Sequence, residues 1–302
     1  MKTVAVIGGA GFIGYNLVSE LIAQDIKVKV VDDLSTGNRI HEFADYLIKD
    51  ISEIGNEELT EYLKDVDVVF LTAALARVQP SIKDPQRYNK VNVDGTLNVL
   101  LACHKAGVKR VVYSASSSCY GETNIFPTPE TAPTNPLSPY GLQKYIGEQY
   151  CKMFSEVYGL DTVSLRYFNV YGEYMNTSGA YCLAMGIFTN QLMEGKPLTI
   201  TNDGNQRRDF TYVKDVVQAN ILAATHPEPL KGESFNIGNG KNYSINEVAD
   251  MMGGEKQYGE KRLEPFQTLA DNSKARKILG WEPKGDLPTW LKSYVEELNI
   301  TQ

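Results

Sequence analysis

The sequence predicts an α/β fold with a doubly wound parallel sheet, followed by a smaller C-terminal α/β domain. In the first half of the 302-residue chain, short apolar and β-branched runs alternate with segments of helical periodicity. The apolar runs are continuous, which is typical of strands that helices cover on both faces. A glycine-rich turn joins the first run to the first helical segment, as in parallel sheets that bind nucleotides beyond the carboxyl ends of their strands.

The elements of this predicted sheet follow one another along the chain. Five runs are predicted as strands, namely Thr3 to Ile7, Val28 to Val31, Val68 to Leu71, Arg110 to Tyr113 and Val163 to Tyr167. Helical periodicity predicts helices over 12–23 and 91–106. We assign this nucleotide-binding domain to residues 1–168.

After residue 168 the pattern is less regular, and we assign residues 169–302 to a substrate-binding domain. Some of its segments are expected to return to the large sheet. The predicted elements are a helix near Ile187 to Met193, a strand near Leu198 to Thr201, and helices near Val213 to Ala224 and Ile245 to Met251.

Composition excludes several classes of function. The formal net charge of −7 argues against general binding to nucleic acid or to anionic membranes. No apolar stretch is long enough to predict a membrane span, and no secretory signal is evident. Neither the four scattered cysteines nor the three histidines have metal-ligand spacing, so we expect no metal and a reduced, cytoplasmic location.

The turn after the first predicted strand has glycines at Gly8, Gly11 and Gly14. With this spacing the first glycine permits a tight turn, the second lets backbone amides approach a pyrophosphate, and the third lets the helix pack closely on the strand. The helix that follows begins with Phe12 and Ile13, and its N-terminus favours a phosphate group. The turn therefore predicts a dinucleotide site, and a purely structural glycine turn is the alternative.

Two acids end the second predicted strand. Asp32 lies 18 residues after Gly14, close to the offset of about 20 residues for an acid that binds the ribose hydroxyls of adenosine. Its carboxylate and that of Asp33 would repel a 2′-phosphate, so the sequence favours NAD over NADP. The alternative is that Asp32 and Asp33 only form the turn at the end of the strand and bind no cofactor.

A tyrosine and a lysine are spaced for one face of a helix. Ser138 and Pro139 are typical of a helix start, which places Tyr140 and Lys144 one turn apart. A nearby ammonium group favours the phenolate form, so we expect Lys144 to lower the pKa of Tyr140 and make it a usable base. A plain surface helix is the alternative, which the upstream glycine turn disfavours.

Serines follow the fourth predicted strand, where ligands collect in a doubly wound sheet. A hydroxyl at this place can bond to a reacting sugar oxygen. We expect Ser114 and Ser117 to form the turn.

Together these motifs resemble the extended short-chain dehydrogenase/reductase family, in particular its UDP-glucose and UDP-N-acetylglucosamine 4-epimerases. The resemblance covers nearly the whole chain and implies a Rossmann-type fold. Besides the motifs above, it includes Asp50-Ile51, Asn92 to Thr96, Arg166 to Gly172, Arg208 to Val213 and Ala270 to Ala275.

The resemblance implies roles for particular residues. Tyr140 would be the acid/base, Lys144 would bind the nicotinamide ribose, and Ser116 would assist at the sugar O4. Cofactor contacts would come from the glycine turn, Asp32, Asp33, Asp50, Ile51 and Asn92. Asn169 and Arg208 would bind the UDP pyrophosphate, the alternatives being a turn-forming asparagine and a surface arginine.

The resemblance also implies a reaction. Tyr140 would remove the 4-OH proton while hydride passes from C4 to NAD⁺, and both would return to the other face of the resulting 4-keto sugar. Related dehydratases and decarboxylases usually carry acids where this chain has Ser117 and Ser118, which favours epimerisation. A dehydratase or decarboxylase remains the alternative, and a non-catalytic NAD-binding regulator is a remote one.

The resemblance is less regular toward the C-terminus. Lys261 occupies the usual place of a second phosphate-binding arginine, but Arg262 is the better ligand chemically and is the one we choose. Glu264 would bind the uridine ribose, a solvated charge being the alternative. Ile7 stands where the family often has threonine, which affects only a minor hydrogen bond of the loop.

The expected substrate range and the expected homodimer also rest on the family resemblance. The small residues Ala76 and Thr268, and the stretch 178–181, resemble epimerases that accept N-acetylhexosamines. We therefore expect turnover of UDP-GlcNAc and UDP-GalNAc, alone or beside UDP-Glc and UDP-Gal. The resemblance further suggests a homodimer through the helices at 91–106 and 140–158.

Overall fold

The computed structural model describes residues 1–177, 183–262 and 264–298. Its strands in chain order are β1 (Thr3–Ile7), β2 (Lys27–Asp32), β3 (Asp45–Ile48), β4 (Val68–Leu71), β5 (Arg110–Ser116), β6 (Asp161–Tyr167), β7 (Asn169–Tyr171), β8 (Leu198–Ile200), β9 (Arg207–Tyr212), β10 (Glu233–Ile237), β11 (Asn242–Ser244) and β12 (Lys256–Tyr258).

The α-helices in chain order are α1 (Phe12–Ala23), α2 (Asn56–Tyr62), α3 (Val78–Lys83), α4 (Pro85–Asn89), α5 (Thr96–Ala106), α6 (Pro139–Met153), α7 (Ala184–Met193), α8 (Val213–Thr225), α9 (Ile245–Met252), α10 (Ser273–Leu279) and α11 (Leu287–Glu297). Two π-helical segments, Lys90–Gly95 and Phe154–Tyr158, adjoin α5 and α6.

Seven parallel strands form the large sheet in the order β10-β6-β5-β4-β1-β2-β3. Successive residues of β1 face opposite sides: Val4 and Val6 pack in one hydrophobic core and Ala5 and Ile7 in another. Helices α1 and α8 contribute to the first core, whereas α2, α5 and α6 contribute to the second. A strand buried on both faces needs apolar residues at every position, which explains the continuous apolar runs.

The predicted fold class is confirmed, with differences at several elements. Strand β3 and helices α2, α3 and α4 were not predicted, because they are short and carry no sustained apolar periodicity. The helix predicted over 91–106 begins as the π-helical segment Lys90–Gly95 and becomes α-helical only at Thr96.

The second half of the chain supplies smaller sheets and one strand of the large sheet. Strands β11, β9 and β7 form one small sheet, β12 pairs with β8, and β10 pairs with β6 of the large sheet. A third hydrophobic core, which includes Tyr171, Phe188 and Ile200, supports this part. In the described part of the chain no helix has the length and apolarity needed to cross a membrane.

Candidate active site

A cavity of about 700 Å³ opens beyond the carboxyl ends of the central strands. Both halves of the chain contribute to its walls. Its lining includes most of the predicted site residues, namely Gly8, Gly11, Phe12, Ile13, Gly14, Asp32, Asp33, Asp50, Ile51, Ala76, Ser116, Tyr140, Asn169, Arg208, Arg262, Glu264 and Thr268. The cavity is therefore the place where the sequence motifs meet.

The glycine turn between β1 and α1 cannot tolerate side chains at two of its positions. Gly8 has φ +91°, and a Cβ there would lie 2.5 Å from the backbone nitrogen of Ala73. A Cβ on Gly14 would lie 2.0 Å from the carbonyl oxygen of Gly8. The turn is consequently as tight as the spacing predicted, and α1 directs its N-terminus at the cavity, where a pyrophosphate is favoured.

The carboxylate of Asp32 lies at the end of β2. Its oxygens accept hydrogen bonds from the backbone nitrogens of Ala10 (2.9 Å) and Leu34 (2.8 Å). Burial raises the pKa of Asp32, and these two hydrogen bonds oppose that effect. Each carboxylate oxygen has a second lone pair, so Asp32 can also accept from a ribose hydroxyl of a dinucleotide.

Asp50, Ile51 and Asn92 occupy different places around the cavity. Asp50 and Ile51 line it, and Asp50 also accepts hydrogen bonds from the backbone and side chain of Ser52. Asn92 lies behind the wall, where its side-chain amide bonds both the backbone nitrogen (2.8 Å) and the carbonyl oxygen (3.0 Å) of Leu75. Asn92 therefore supports the wall.

Together these features fit a dinucleotide. The glycine turn lets the backbone come close to a bound pyrophosphate, the start of α1 favours phosphate, and the carboxylate of Asp32 offers acceptors for ribose hydroxyls. Among the described residues no cluster of histidine, cysteine and acidic side chains could hold a metal ion.

The reactive end of the cavity is formed by β5 and α6. Ser138 caps α6 by accepting a hydrogen bond from the backbone nitrogen of Gly141 (3.1 Å), and Pro139 takes the first helical position. Tyr140 thus enters the cavity from the first turn of α6, opposite Ser116 at the end of β5.

Lys144 is almost completely buried one turn further along α6. Its ammonium group donates to the carbonyl oxygen of Ser114 (2.7 Å) and lies 4.8 Å from the centroid of the Tyr113 ring. Burial lowers the pKa of Lys144 to about 7, because the apolar surroundings disfavour the charged form.

The pKa of Tyr140 is shifted by burial and by two neighbouring groups. Burial raises it, whereas Ser116 by hydrogen bonding and Arg77 by its charge oppose this effect, and the net shift is upward. The ammonium group of Lys144 donates to the carbonyl of Ser114, and its expected effect on Tyr140 stays a prediction.

The serines at the end of β5 and directly after it divide into two groups. Ser114 lies within β5, donates to the hydroxyl of Tyr167 (3.0 Å) and is not in the cavity lining, as expected of a structural serine. Ser117 lines the cavity beside Ser116 and Ser118, although only a turn was expected of it. Ser116 donates to Ser118 (3.1 Å).

Arg208 and Glu264 form an ion pair at the opposite end of the cavity. The guanidinium of Arg208 donates to the Glu264 carboxylate at 2.5 Å and to the carbonyl of Arg207 at 2.8 Å. Arg208 is only 8% exposed, so it is not a surface arginine. Glu264 also accepts from Asn202 (2.8 Å), which excludes the alternative of a freely solvated charge.

Lys261 and Arg262 lie differently with respect to the cavity. Arg262 is part of the lining, and its backbone nitrogen donates to the side chain of Asn202 (2.9 Å). Lys261 is not part of the lining, and its charge instead helps to lower the pKa of the exposed Asp203. Of the two cations, Arg262 is therefore the one placed to meet a ligand.

The remaining predicted substrate residues also reach the cavity. Asn169 lines it from the start of β7. The hydroxyl of Thr268 accepts from the backbone nitrogen of Asp209 (3.1 Å), and the carbonyl of Ala76 accepts from the hydroxyl of Tyr88 (2.6 Å). The stretch 178–181 lies outside the described residues.

Sequence reasoning missed two charged residues of the cavity lining, Lys49 and Arg77. Arg77 is the more unusual of the two. It lines the cavity near Tyr140 and has φ +90°, a backbone conformation that residues other than glycine rarely adopt. No pattern in a single sequence indicates such a conformation at an arginine.

Fold and site together define an NAD-binding enzyme of the extended short-chain dehydrogenase/reductase class. A family model described as the NAD dependent epimerase/dehydratase family matches residues 4–238. The chain belongs to this family, and NAD is the cofactor.

Relatives named as UDP-sugar 4-epimerases match over nearly their whole length. The UDP-glucose 4-epimerase of Mycolicibacterium smegmatis is 35% identical over 310 residues, which is 98% of each chain. The crystal structure of Thermotoga maritima UDP-glucose 4-epimerase with UDP-glucose is similar with a TM-score of 0.92 and 36% identity, covering 98% of both chains. The Methanobrevibacter ruminantium UDP-N-acetylglucosamine 4-epimerase, solved with UDP-N-acetylmuramic acid, has a TM-score of 0.90 and 36% identity, covering 98% of this chain and 97% of that one.

Proposed function

We propose that this protein is a UDP-hexose 4-epimerase, which inverts the hydroxyl configuration at C4 of the sugar. The observation that carries this proposal is that Ser116 and Tyr140 line the same cavity as the glycine turn and Arg208. A dinucleotide and a sugar attached to a diphosphate would therefore meet at Tyr140. Relatives named as UDP-sugar 4-epimerases support the same activity.

Each reactive side chain has a distinct task in this proposal. Tyr140 takes the proton of the 4-hydroxyl and later returns it, while Ser116 holds the sugar O4 by a hydrogen bond. Lys144 supports the nicotinamide ribose from its buried position. NAD, when bound, would accept hydride from C4 and give it back.

The far end of the cavity would hold the UDP portion. Arg208 keeps donors for a phosphate beyond those it uses on Glu264, since a guanidinium carries five N–H groups. Arg262 and Asn169 add further donors in the lining. Glu264 orients Arg208 and offers acceptors for the uridine ribose.

The substrate range follows from side-chain size in this proposal. Ala76 and Thr268 are both small and line the cavity, which leaves volume for an acetamido group at C2. We therefore propose that UDP-GlcNAc and UDP-GalNAc are turned over, alone or beside UDP-Glc and UDP-Gal. A bound UDP-N-acetylmuramic acid in the Methanobrevibacter ruminantium epimerase is in keeping with an acetamido group in such a site.

A 4,6-dehydratase or decarboxylase is the second candidate. Elimination needs an additional acid/base pair beside the sugar, and the residues after Ser116 that line the cavity are serines. The buried Lys144 with Ser116 and Tyr140 also argues against a non-catalytic NAD-binding regulator, because simple binding does not require this set.

The experiment is incubation of the purified protein with each of UDP-Glc, UDP-Gal, UDP-GlcNAc and UDP-GalNAc, without added reductant, and product analysis by NMR. We expect the C4 epimer, and loss of its formation in Tyr140→Phe. Net formation of a keto sugar, or release of CO₂ from UDP-glucuronic acid, would identify the second candidate instead.

We also propose a homodimer through α5 and α6. Leu142 on α6 is 47% exposed, and Val157 and Tyr158 in the adjoining π-helical segment are 68% and 43% exposed. These three exposed apolar side chains lie on α6 and its π-helical continuation, and exposed apolar side chains that lie together favour an interface between copies. For α5 the proposal rests on the family resemblance. Analytical ultracentrifugation should give a dimer, and Leu142→Glu with Val157→Glu should shift it toward monomer. A monomeric parent protein would refute this assignment.

A further inference from the structure

Asp209 lies in β9, directly behind the wall of the cavity. Its neighbours Arg208 and Phe210 line the cavity, whereas Asp209 does not and is completely buried. This difference follows from the strand, because successive side chains of a strand point to opposite faces. A carboxylate removed from water needs hydrogen-bond donors from the protein. The donors of Asp209 therefore indicate what this side chain holds in place.

Three backbone N–H groups from two separate segments donate to the carboxylate of Asp209. Those of Asn239 and Gly240, in the turn after β10, donate at 2.8 and 3.0 Å. The backbone nitrogen of Ala270 donates at 3.0 Å. Burial raises the pKa of Asp209 to about 6, and the three hydrogen bonds oppose this effect. One side chain thus joins β9 to a turn and to a more C-terminal segment.

The segment that contains Ala270 runs beside β9 and also carries Thr268, which lines the cavity. The backbone nitrogen of Thr268 donates to the carbonyl oxygen of Arg207 (3.1 Å). The hydroxyl of Thr268 accepts from the backbone nitrogen of Asp209 (3.1 Å). The place of Thr268 in the cavity is therefore set by how this segment lies against β9.

The turn after β10 packs against the same segment without free space. A Cβ on Gly238 would lie 2.4 Å from the Cβ of Ala270 and 3.0 Å from a carboxylate oxygen of Asp209. The side-chain amide of Asn272 donates to the carbonyl oxygen of Gly238 at 2.8 Å. The turn, the segment and the carboxylate are consequently in close contact behind the cavity wall.

The residues that we expect to bind the UDP-sugar share this support. Arg208 precedes Asp209 in β9, and the side-chain amide of Asn169 donates to the carbonyl oxygen of Asp209 (3.4 Å). Thr268 lies two residues before Ala270. The glycine turn and Asp32 belong instead to β1, α1 and β2. A change at Asp209 should therefore reach the residues for the UDP-sugar and spare those for NAD.

We propose that Asp209 is a positioning residue for the UDP-sugar: its carboxylate holds the turn after β10 and the segment around Ala270 against β9, and thereby fixes Arg208, Asn169 and Thr268 relative to one another. The inference rests on the proposed binding of a UDP-sugar at Arg208. It goes further because Asp209 lies outside the cavity lining and controls affinity from behind it.

The experiment measures dissociation constants for NAD, UDP-glucose and UDP-GlcNAc by calorimetry, in proteins that carry Tyr140→Phe so that no sugar is converted. Asp209→Asn leaves one carbonyl oxygen for three N–H groups and directs an amide at one of them. We expect this change to raise the Kd of the UDP-sugars about tenfold and to leave the Kd of NAD within about twofold. With Tyr140 intact, KM should rise while kcat stays within about twofold, since the lost interaction supports binding of substrate and transition state alike.

Asp215→Asn is the matched control. Asp215 is also a buried aspartate outside the cavity lining, and it accepts from the backbone nitrogens of Lys284 (3.0 Å) and Gly285 (2.8 Å). Its replacement should lower stability in urea without changing any of the dissociation constants. An effect of Asp209→Asn that Asp215→Asn does not share is therefore specific to the support of the UDP-sugar residues.

Gly238→Ala is the second variant and keeps the test decisive where Asp209→Asn does not fold. It leaves the carboxylate intact but forces the turn and Ala270 apart, so it should also raise the Kd of the UDP-sugars and spare NAD. Unchanged UDP-sugar affinity in both variants overturns the inference, as does an equal loss of affinity for NAD. Unmodified Asp209 protein that binds NAD but neither UDP-sugar would overturn the proposed function together with the inference, which distinguishes the two failures.

Discussion

Replacing Lys144 by methionine should make the protein more stable while abolishing its activity. The ammonium group is buried among apolar side chains and has one oxygen partner, the carbonyl of Ser114. Its pKa in the folded protein is about 7, against 10.5 for an unperturbed lysine. The unfolded chain therefore binds the proton more tightly than the folded protein does. This difference lowers the free energy of unfolding at every pH at which the lysine of the unfolded chain is charged.

The size of this effect follows from the pKa difference. A difference of about 3.5 pKa units corresponds to a loss of about 4–5 kcal/mol in the free energy of unfolding. At pH 7 about half of the folded molecules already carry neutral lysine, so the loss at that pH is about 4 kcal/mol. Methionine has a similar shape without charge, but it leaves the carbonyl of Ser114 without its donor, which costs about 1–3 kcal/mol. The net expectation for Lys144→Met at pH 7 is a gain of about 2 kcal/mol in the free energy of unfolding.

Urea unfolding of NAD-free protein measures this gain, because bound NAD would add its own stabilisation. The sign of the pKa shift also fixes the pH dependence: the stability of the parent protein should rise relative to Lys144→Met between about pH 7 and about pH 10. The advantage of the variant should disappear over that range. A variant that is less stable at neutral pH, or whose advantage does not change with pH, would refute the reasoning.

Three further predictions concern other parts of the molecule. Thr268→Tyr should fill the cavity beside C2 and depress turnover of UDP-GlcNAc more than that of UDP-Glc; equal losses in kcat/KM would contradict the proposed role of this position. Asp32→Asn removes the charge that repels a 2′-phosphate, so the ratio of NADP to NAD dissociation constants, measured by calorimetry, should fall by about tenfold; an unchanged ratio would assign the discrimination elsewhere. Glu148→Gln leaves the buried Arg166 without its carboxylate partner (2.5 Å) and should cost about 3–5 kcal/mol in urea unfolding, whereas a cost below about 1 kcal/mol would show that this pair is dispensable.

The parts of the fold that the sequence predicted are those with strong local patterns. Strands β1 and β4 and helix α1 have the predicted bounds, since continuous apolar runs and the glycine turn mark them clearly. The short strand β3 is half exposed at the sheet edge, and no buried face imposes a pattern on it. The π-helical segment before α5 is likewise invisible, because its apolar spacing resembles that of an α-helix.

The site residues that could be predicted are those whose function depends on residue type and on spacing along the chain. Gly8, Gly14 and Asp32 were found in this way, and Tyr140 was found from its distance to Lys144. Tertiary structure decided the rest. The direction of the Lys144 ammonium toward the carbonyl of Ser114 could not be inferred from a one-turn spacing. Arg77 was missed because no local pattern indicates a positive φ at an arginine.

The central claim is that Tyr140 and Ser116 serve a reversible, redox-neutral reaction at C4. A UDP-hexose that the protein converts, UDP-GlcNAc or UDP-glucose, carrying deuterium at C4 tests it most directly, with the product analysed by NMR and mass spectrometry. The account predicts the C4 epimer with the deuterium retained at C4, and no such product from Tyr140→Phe. Loss of the deuterium to solvent in the product, or elimination of water from the sugar in place of epimerisation, would contradict it.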